Sequence, residues 1–167
     1  MINKINKLTQ SEFIKVFANI FENSSWIAEE LYKKKPFVDF NDLSSKMIGI
    51  FDSTTKEKKL EILNNHPDLA NKTKVSSLTQ NSLKEQTDAG LDQCTEEEFE
   101  EFKKLNKAYK KFGFPFIIAV KGKNKVEILN TFKKRVNSDL EIEFNEAIKQ
   151  VKQIASMRLK ELSTKGL

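Results

Sequence analysis

Only five glycines and three prolines interrupt 167 residues, so the chain has few points at which it can leave a helix or turn sharply. Between those points apolar residues recur at helical spacing, and no repeat or low-complexity run intervenes. The class that follows is all-α. The expected architecture is a single domain over residues 1–167, a bundle of about eight helices. Hydrophobic content of 38% is enough for a core at this length.

Helix starts are marked by capping signals. Thr9 and Glu12 form a capping box, after which Phe13, Val16, Phe17, Ile20 and Phe21 share one face. A second helix starts near Ser25, carries Trp26, Ile27 and Leu31 inward and ends before Pro36; a third starts at Asp39 or Asn41. Thr54 to Glu57 opens a fourth, whose Leu60 and Leu63 lead to His66. A polar stretch, residues 71–77, precedes a short helix that ends near Gly90. Thr95 with Glu98 and Asn124 with Glu127 cap two more, the first of which ends at Gly113. Ser138 with Glu141 starts the last and longest, with Leu140, Phe144, Ala147, Val151, Ala155 and Leu159 on its apolar face.

Four features stand out from this scaffold. His66 is the single histidine, and Pro67 disfavours a helical conformation for it, which places the imidazole on a stiff corner. On that stretch alone, a surface histidine at a helix end fits better. Ser82, Glu85 and Gln86 share one helix face, as a polar group at the binding site or, more commonly, as a solvated surface. Residues 112–120, Phe-Gly-Phe-Pro-Phe-Ile-Ile-Ala-Val, read as buried extended backbone with no sheet to pair with. Their backbone groups need partners from a ligand, from side chains or from water. Arg158 falls on the inward face of the last helix; it either snorkels out or meets an anion, for which a carboxylate suits its fork.

Composition narrows the function classes. Cys94 is the single cysteine, so neither an intramolecular disulfide nor a cysteine-based metal site is available, and a reducing, cytoplasmic setting is expected. No apolar run is long enough to span a membrane. The net charge of +5 is carried almost wholly by lysines interleaved with acidic residues. That pattern lacks the arginine-rich stripe of a nucleic-acid reader.

Taken in order, His66-Pro67-Asp68-Leu69-Ala70, Ser82-Leu83-Lys84-Glu85-Gln86, Ala89-Gly90-Leu91, Leu105-Asn106 with Tyr109, Lys111 to Phe116, Arg135 and Ile154 to Leu159 resemble the 2-oxo-4-hydroxy-4-carboxy-5-ureidoimidazoline (OHCU) decarboxylase family of urate degradation. The resemblance spans nearly the whole chain. It implies a helical homodimer acting on a small ureidoimidazoline without metal or organic cofactor, and no nucleic-acid or membrane partner. It also implies that His66 is the proton donor and that Glu85 works beside it. Pro67, Ser82, Leu83, Lys84, Gln86, Phe116, Ile117, Ile118, Ala119, Val120 and Arg158 become the substrate contacts, with the Phe-Gly-Phe-Pro-Phe segment lining the site. The competing class is a helical binding module without catalysis, either a basic nucleic-acid domain or a protein-interaction domain with a groove around Arg158.

Overall fold

The computed structural model describes residues 1–166 without the side chains of Thr73, Lys74 and Val75. Leu167, the end of the expected domain, and those three side chains in the expected polar stretch lie outside the described residues. The described chain is helical and contains no strand. Its α-helices are α1 (Ile2–Lys7), α2 (Gln10–Phe17), α3 (Ser25–Tyr32), α4 (Phe40–Ser53), α5 (Lys56–Asn64), α6 (Gln80–Asp88), α7 (Glu96–Tyr109), α8 (Lys125–Arg135) and α9 (Leu140–Lys165). Short 3₁₀ helices cover Lys72–Ser77 and Lys110–Phe112. Among the described residues no helix is long and apolar enough to cross a membrane.

The capping signals explain where these helices begin. Thr9, Thr95 and Asn124 each accept the N–H of the residue three positions on, while the Glu there accepts the cap's own N–H. No capping signal marks α1, a six-residue helix that buries only Ile5. The last helix starts at Leu140 rather than at a Ser138 cap.

Two compact units emerge, one from residues 1–65 with the chain after Lys152, the other from His66 to Val151. In the first, α2 packs on α3 and α3 on α4. Phe13 lies against Phe17 with ring centroids 4.5 Å apart, and Phe21 stacks on Phe51 at 5.0 Å. Two apolar side chains of this unit are not in its core. Leu60 is exposed, because the buried positions of α5 are Ile62 and Leu63. Trp26 is only half-buried, with the Lys58 ammonium 5.6 Å from its ring.

The second unit is built around aromatic rings from α7, α8 and the segment between them. Phe116 stacks on Phe132 at 3.8 Å, and Tyr109 sits edge-on to Phe112, Phe116 and Phe132. Leu140, expected on the apolar face of α9, is 57% exposed; Glu143 is buried instead.

Candidate active site

His66 opens the second unit just after the C-cap of α5 at Asn65, so the helix stops ahead of Pro67 as the sequence requires. The chain then runs irregularly through Asp68 and Leu69 to Ala70, which adopts a left-handed φ of 51°. Two side chains hold this corner from outside. Gln86 accepts the Ala70 N–H at 3.1 Å and donates to the Asp68 carbonyl at 3.4 Å, while Asn106 donates to the Leu69 carbonyl at 3.0 Å. Gln86 therefore ties α6 to the His-Pro loop.

Thr79 caps α6 by accepting the Ser82 N–H at 3.2 Å. Ser82 and Gln86 are buried and Glu85 is half-buried, so this polar face looks inward and is not the solvated surface that spacing alone favours. Their neighbours differ. Lys84 is exposed and paired with Asp88 four residues on. Leu83 joins Thr87, Leu91, Cys94 and Phe99 around a cavity of about 400 Å³. Burial, helped by the charge of Glu98, pushes the Cys94 thiol up in pKa. A second cavity, of about 650 Å³, is lined by Asp68, Phe99, Asn106 and Lys107. Neither of these two cavities includes His66, Glu85 or residues 116–120 among its lining.

The segment after Gly113 has no regular secondary structure from 115 to 120, and residues 116–120 are buried. Side chains supply what a sheet would. Arg135 Nη1 donates to the Ile117 carbonyl at 2.7 Å, Lys123 Nζ to the Ala119 carbonyl at 3.0 Å, and the Ala119 N–H donates to Gln150 Oε1 at 2.9 Å. The N–H groups of Ile118 and Val120 meet no acceptor among the described residues. That is unusual for buried backbone donors, which are nearly always paired.

Arg135 is itself anchored. Its guanidinium lies 4.5 Å from the Phe116 ring, and its Nε donates to both Glu143 oxygens at 3.2 and 3.0 Å. Nη2 lies 2.9 Å from Glu143 Oε2 as a charge contact without hydrogen-bond alignment. The Tyr109 hydroxyl donates to the same Oε2 at 2.7 Å. Burial first, and the bond to Glu143 second, push the Tyr109 hydroxyl far above the ordinary tyrosine range.

Arg158 belongs to the first unit. It stays inside rather than snorkelling, 6% exposed, and finds an anion within the chain: Nη1 donates to Glu22 Oε2 at 2.8 Å and to the Asn19 carbonyl at 2.9 Å. Glu22, Glu143 and Gln150 belong to no motif of the sequence. Glu143 had a signal, since it precedes Ala147 by four residues and Val151 by eight on the buried face of α9, the same pattern that singles out Arg158. Glu22 follows α2 in a turn, where periodicity gives no warning. Among the described residues, no group of three or more His, Cys, Asp or Glu side chains is placed to hold a metal ion.

Known proteins align with this chain over almost all of its length. The uric acid degradation bifunctional protein of Bacillus sp. strain TB-90 is 37% identical over 166 residues, covering 99% of this chain and 32% of that protein, so the chain spans about a third of its length. The 2-oxo-4-hydroxy-4-carboxy-5-ureidoimidazoline decarboxylase of Haloferax volcanii is 35% identical over 161 residues, with 96% of this chain and 94% of that protein covered. A crystal structure of (S)-allantoin synthase superposes with a TM-score of 0.76 at 32% identity, over 96% of this chain and 53% of that one. The family model described as OHCU decarboxylase matches residues 6–160, and with these likenesses it establishes that the chain belongs to the OHCU decarboxylase family.

Proposed function

We propose that this chain decarboxylates 2-oxo-4-hydroxy-4-carboxy-5-ureidoimidazoline to (S)-allantoin and CO2 in urate degradation, as a cytoplasmic homodimer without metal or organic cofactor. The observation that carries the reading is the family match across residues 6–160. The chemistry is compatible with it. When the bond to the carboxylate breaks, its electron pair passes into the adjacent ring imine of the substrate, and one proton must be returned to carbon. His66 supplies that proton, and Glu85 holds the imidazole or the substrate hydroxyl; the two act as one coupled unit.

The remaining contacts of the reading are Pro67, Ser82, Leu83, Lys84, Gln86, Phe116 to Val120 and Arg158. Three observations support it. Gln86 ties α6, the helix of Glu85, to the loop of His66. Ser82 and Gln86 are buried on the face that Glu85 shares. Buried Ile118 and Val120 carry backbone donors with no acceptor among the described residues.

The test follows formation of (S)-allantoin from freshly generated substrate by circular dichroism, against the spontaneous reaction. The chain should accelerate decarboxylation and give one enantiomer. His66→Gln should lower kcat by roughly 10²–10⁴-fold while the protein stays folded. No acceleration by the unaltered protein would sink the activity, and near-normal turnover in His66→Gln would remove His66 as the acid.

A further inference from the structure

We propose that Arg135 and Lys123 are positioning residues that aim and polarise two backbone donors, the N–H groups of Ile118 and Val120, at a carbonyl or carboxylate oxygen of the substrate. The proposal rests on the reading above that residues 116–120 contact the substrate.

In a planar trans peptide the C=O of one residue and the N–H of the next point in opposite directions. The single cis bond among the described residues is Lys35–Pro36, so the peptides in question are trans. The peptide that carries the Ile118 N–H has its oxygen on Ile117, held by Arg135 at 2.7 Å. The peptide that carries the Val120 N–H has its oxygen on Ala119, held by Lys123 at 3.0 Å. Each N–H therefore points away from the cation that grips its partner oxygen. The peptide between them is fixed from its other end, since the Ala119 N–H goes to Gln150. Three successive peptide planes are thus set by side chains, and the two whose N–H groups lack an acceptor among the described residues are the two gripped by a cation.

A cation on the carbonyl also draws electron density from the amide, which makes the N–H a stronger donor. The two cations differ here. Glu143 offsets the charge of Arg135 and locks its fork, so Arg135 mainly fixes direction. Lys123 is half-buried and adds a positive field that favours the negative charge or dipole of a bound substrate oxygen.

The test uses Lys123→Met first, since this side chain is outside the aromatic core, and Arg135→Lys second. Each should raise KM about 3–10-fold, the range for one misdirected hydrogen bond, with a smaller change in kcat. A parallel titration of ¹⁵N-labelled protein with (S)-allantoin should move the Ile118 and Val120 amide resonances. In Lys123→Met the Val120 response should be lost while that of Ile118 persists, a residue-by-residue split that general loosening of the fold would not produce. Unchanged KM together with an unchanged Val120 response in folded Lys123→Met overturns the proposal. If the unaltered protein turns over substrate but neither amide responds to allantoin, the proposal also fails while the proposed activity stands. If the unaltered protein does not accelerate the reaction, it is the activity that fails.

Discussion

Ala70 holds a left-handed backbone, φ 51°, that costs a residue with a Cβ about 1–2 kcal/mol. It is kept there by the Gln86 amide on its N–H and by Asn106 on the preceding carbonyl. Ala70→Gly should therefore be neutral or stabilising by up to about 1 kcal/mol in urea unfolding, whereas Gln86→Leu should cost about 0.5–1.5 kcal/mol, because it removes the hydrogen bonds to a half-buried N–H and carbonyl. Tyr109 makes a second prediction at this scale. Its hydroxyl pKa is raised by burial and by Glu143, so the folded protein retains that proton at pH values where the unfolded chain releases it. The stability it contributes is complete below the unfolded value of about 10 and is lost as pH rises above that toward the folded value. Unfolding free energy measured between about pH 9 and 11.5 should fall more steeply in the unaltered protein than in Tyr109→Phe.

At the scale of elements, α6 shows what a short helix owes to its cap. Thr79 accepts the Ser82 N–H, and Thr79→Ala should cost about 0.5–2 kcal/mol in chemical denaturation and raise amide exchange in the first turn. This helix is legible from its polar run and from Gly90 at its end, while the Thr79 cap emerges only from the structure. Which way its polar face points is not legible, because a Ser-Glu-Gln face has the same pattern in water as against the loop that Gln86 grips. The segment 115–120 shows the same limit. Its lack of regular structure and its burial follow from Pro115 and the β-branched run; Lys123 reaches its backbone from four residues along, but Arg135 and Gln150 reach it from 18 and 31 residues away. No local pattern announces such contacts. Helix α1 is too short to show a period, and Leu140 sits in the first turn of α9, where one turn of apolar spacing is too little to define a buried face.

For the molecule as a whole, the helical class and the order of the family motifs could be read directly, since caps and Gly or Pro breaks recur at almost every junction. The division into two units could not, because α9 carries one unbroken helical pattern through both. Surface charge supports a prediction against nucleic-acid binding. Lysines 33, 46, 58, 72, 125, 133 and 152 each lie within salt-bridge distance of a carboxylate, so the net charge of +5 does not form an uninterrupted basic stripe. Fluorescence anisotropy with labelled duplex DNA at about 0.15 M salt should show no binding in the micromolar range. Sedimentation equilibrium should give twice the 19.3 kDa chain mass if the proposed homodimer forms, and the monomer mass would refute it. The Tyr109–Glu143–Arg135 cluster bears on how this sequence can drift over generations. Removing Glu143 or Arg135 alone strands the other's charge away from water at about 3–5 kcal/mol, a large share of what holds a domain folded, while exchanging the ion pair for apolar residues of matching volume is close to neutral. Descendants of this chain are therefore expected to keep positions 135 and 143 intact or to change them together, because the intermediate steps are the ones selection removes.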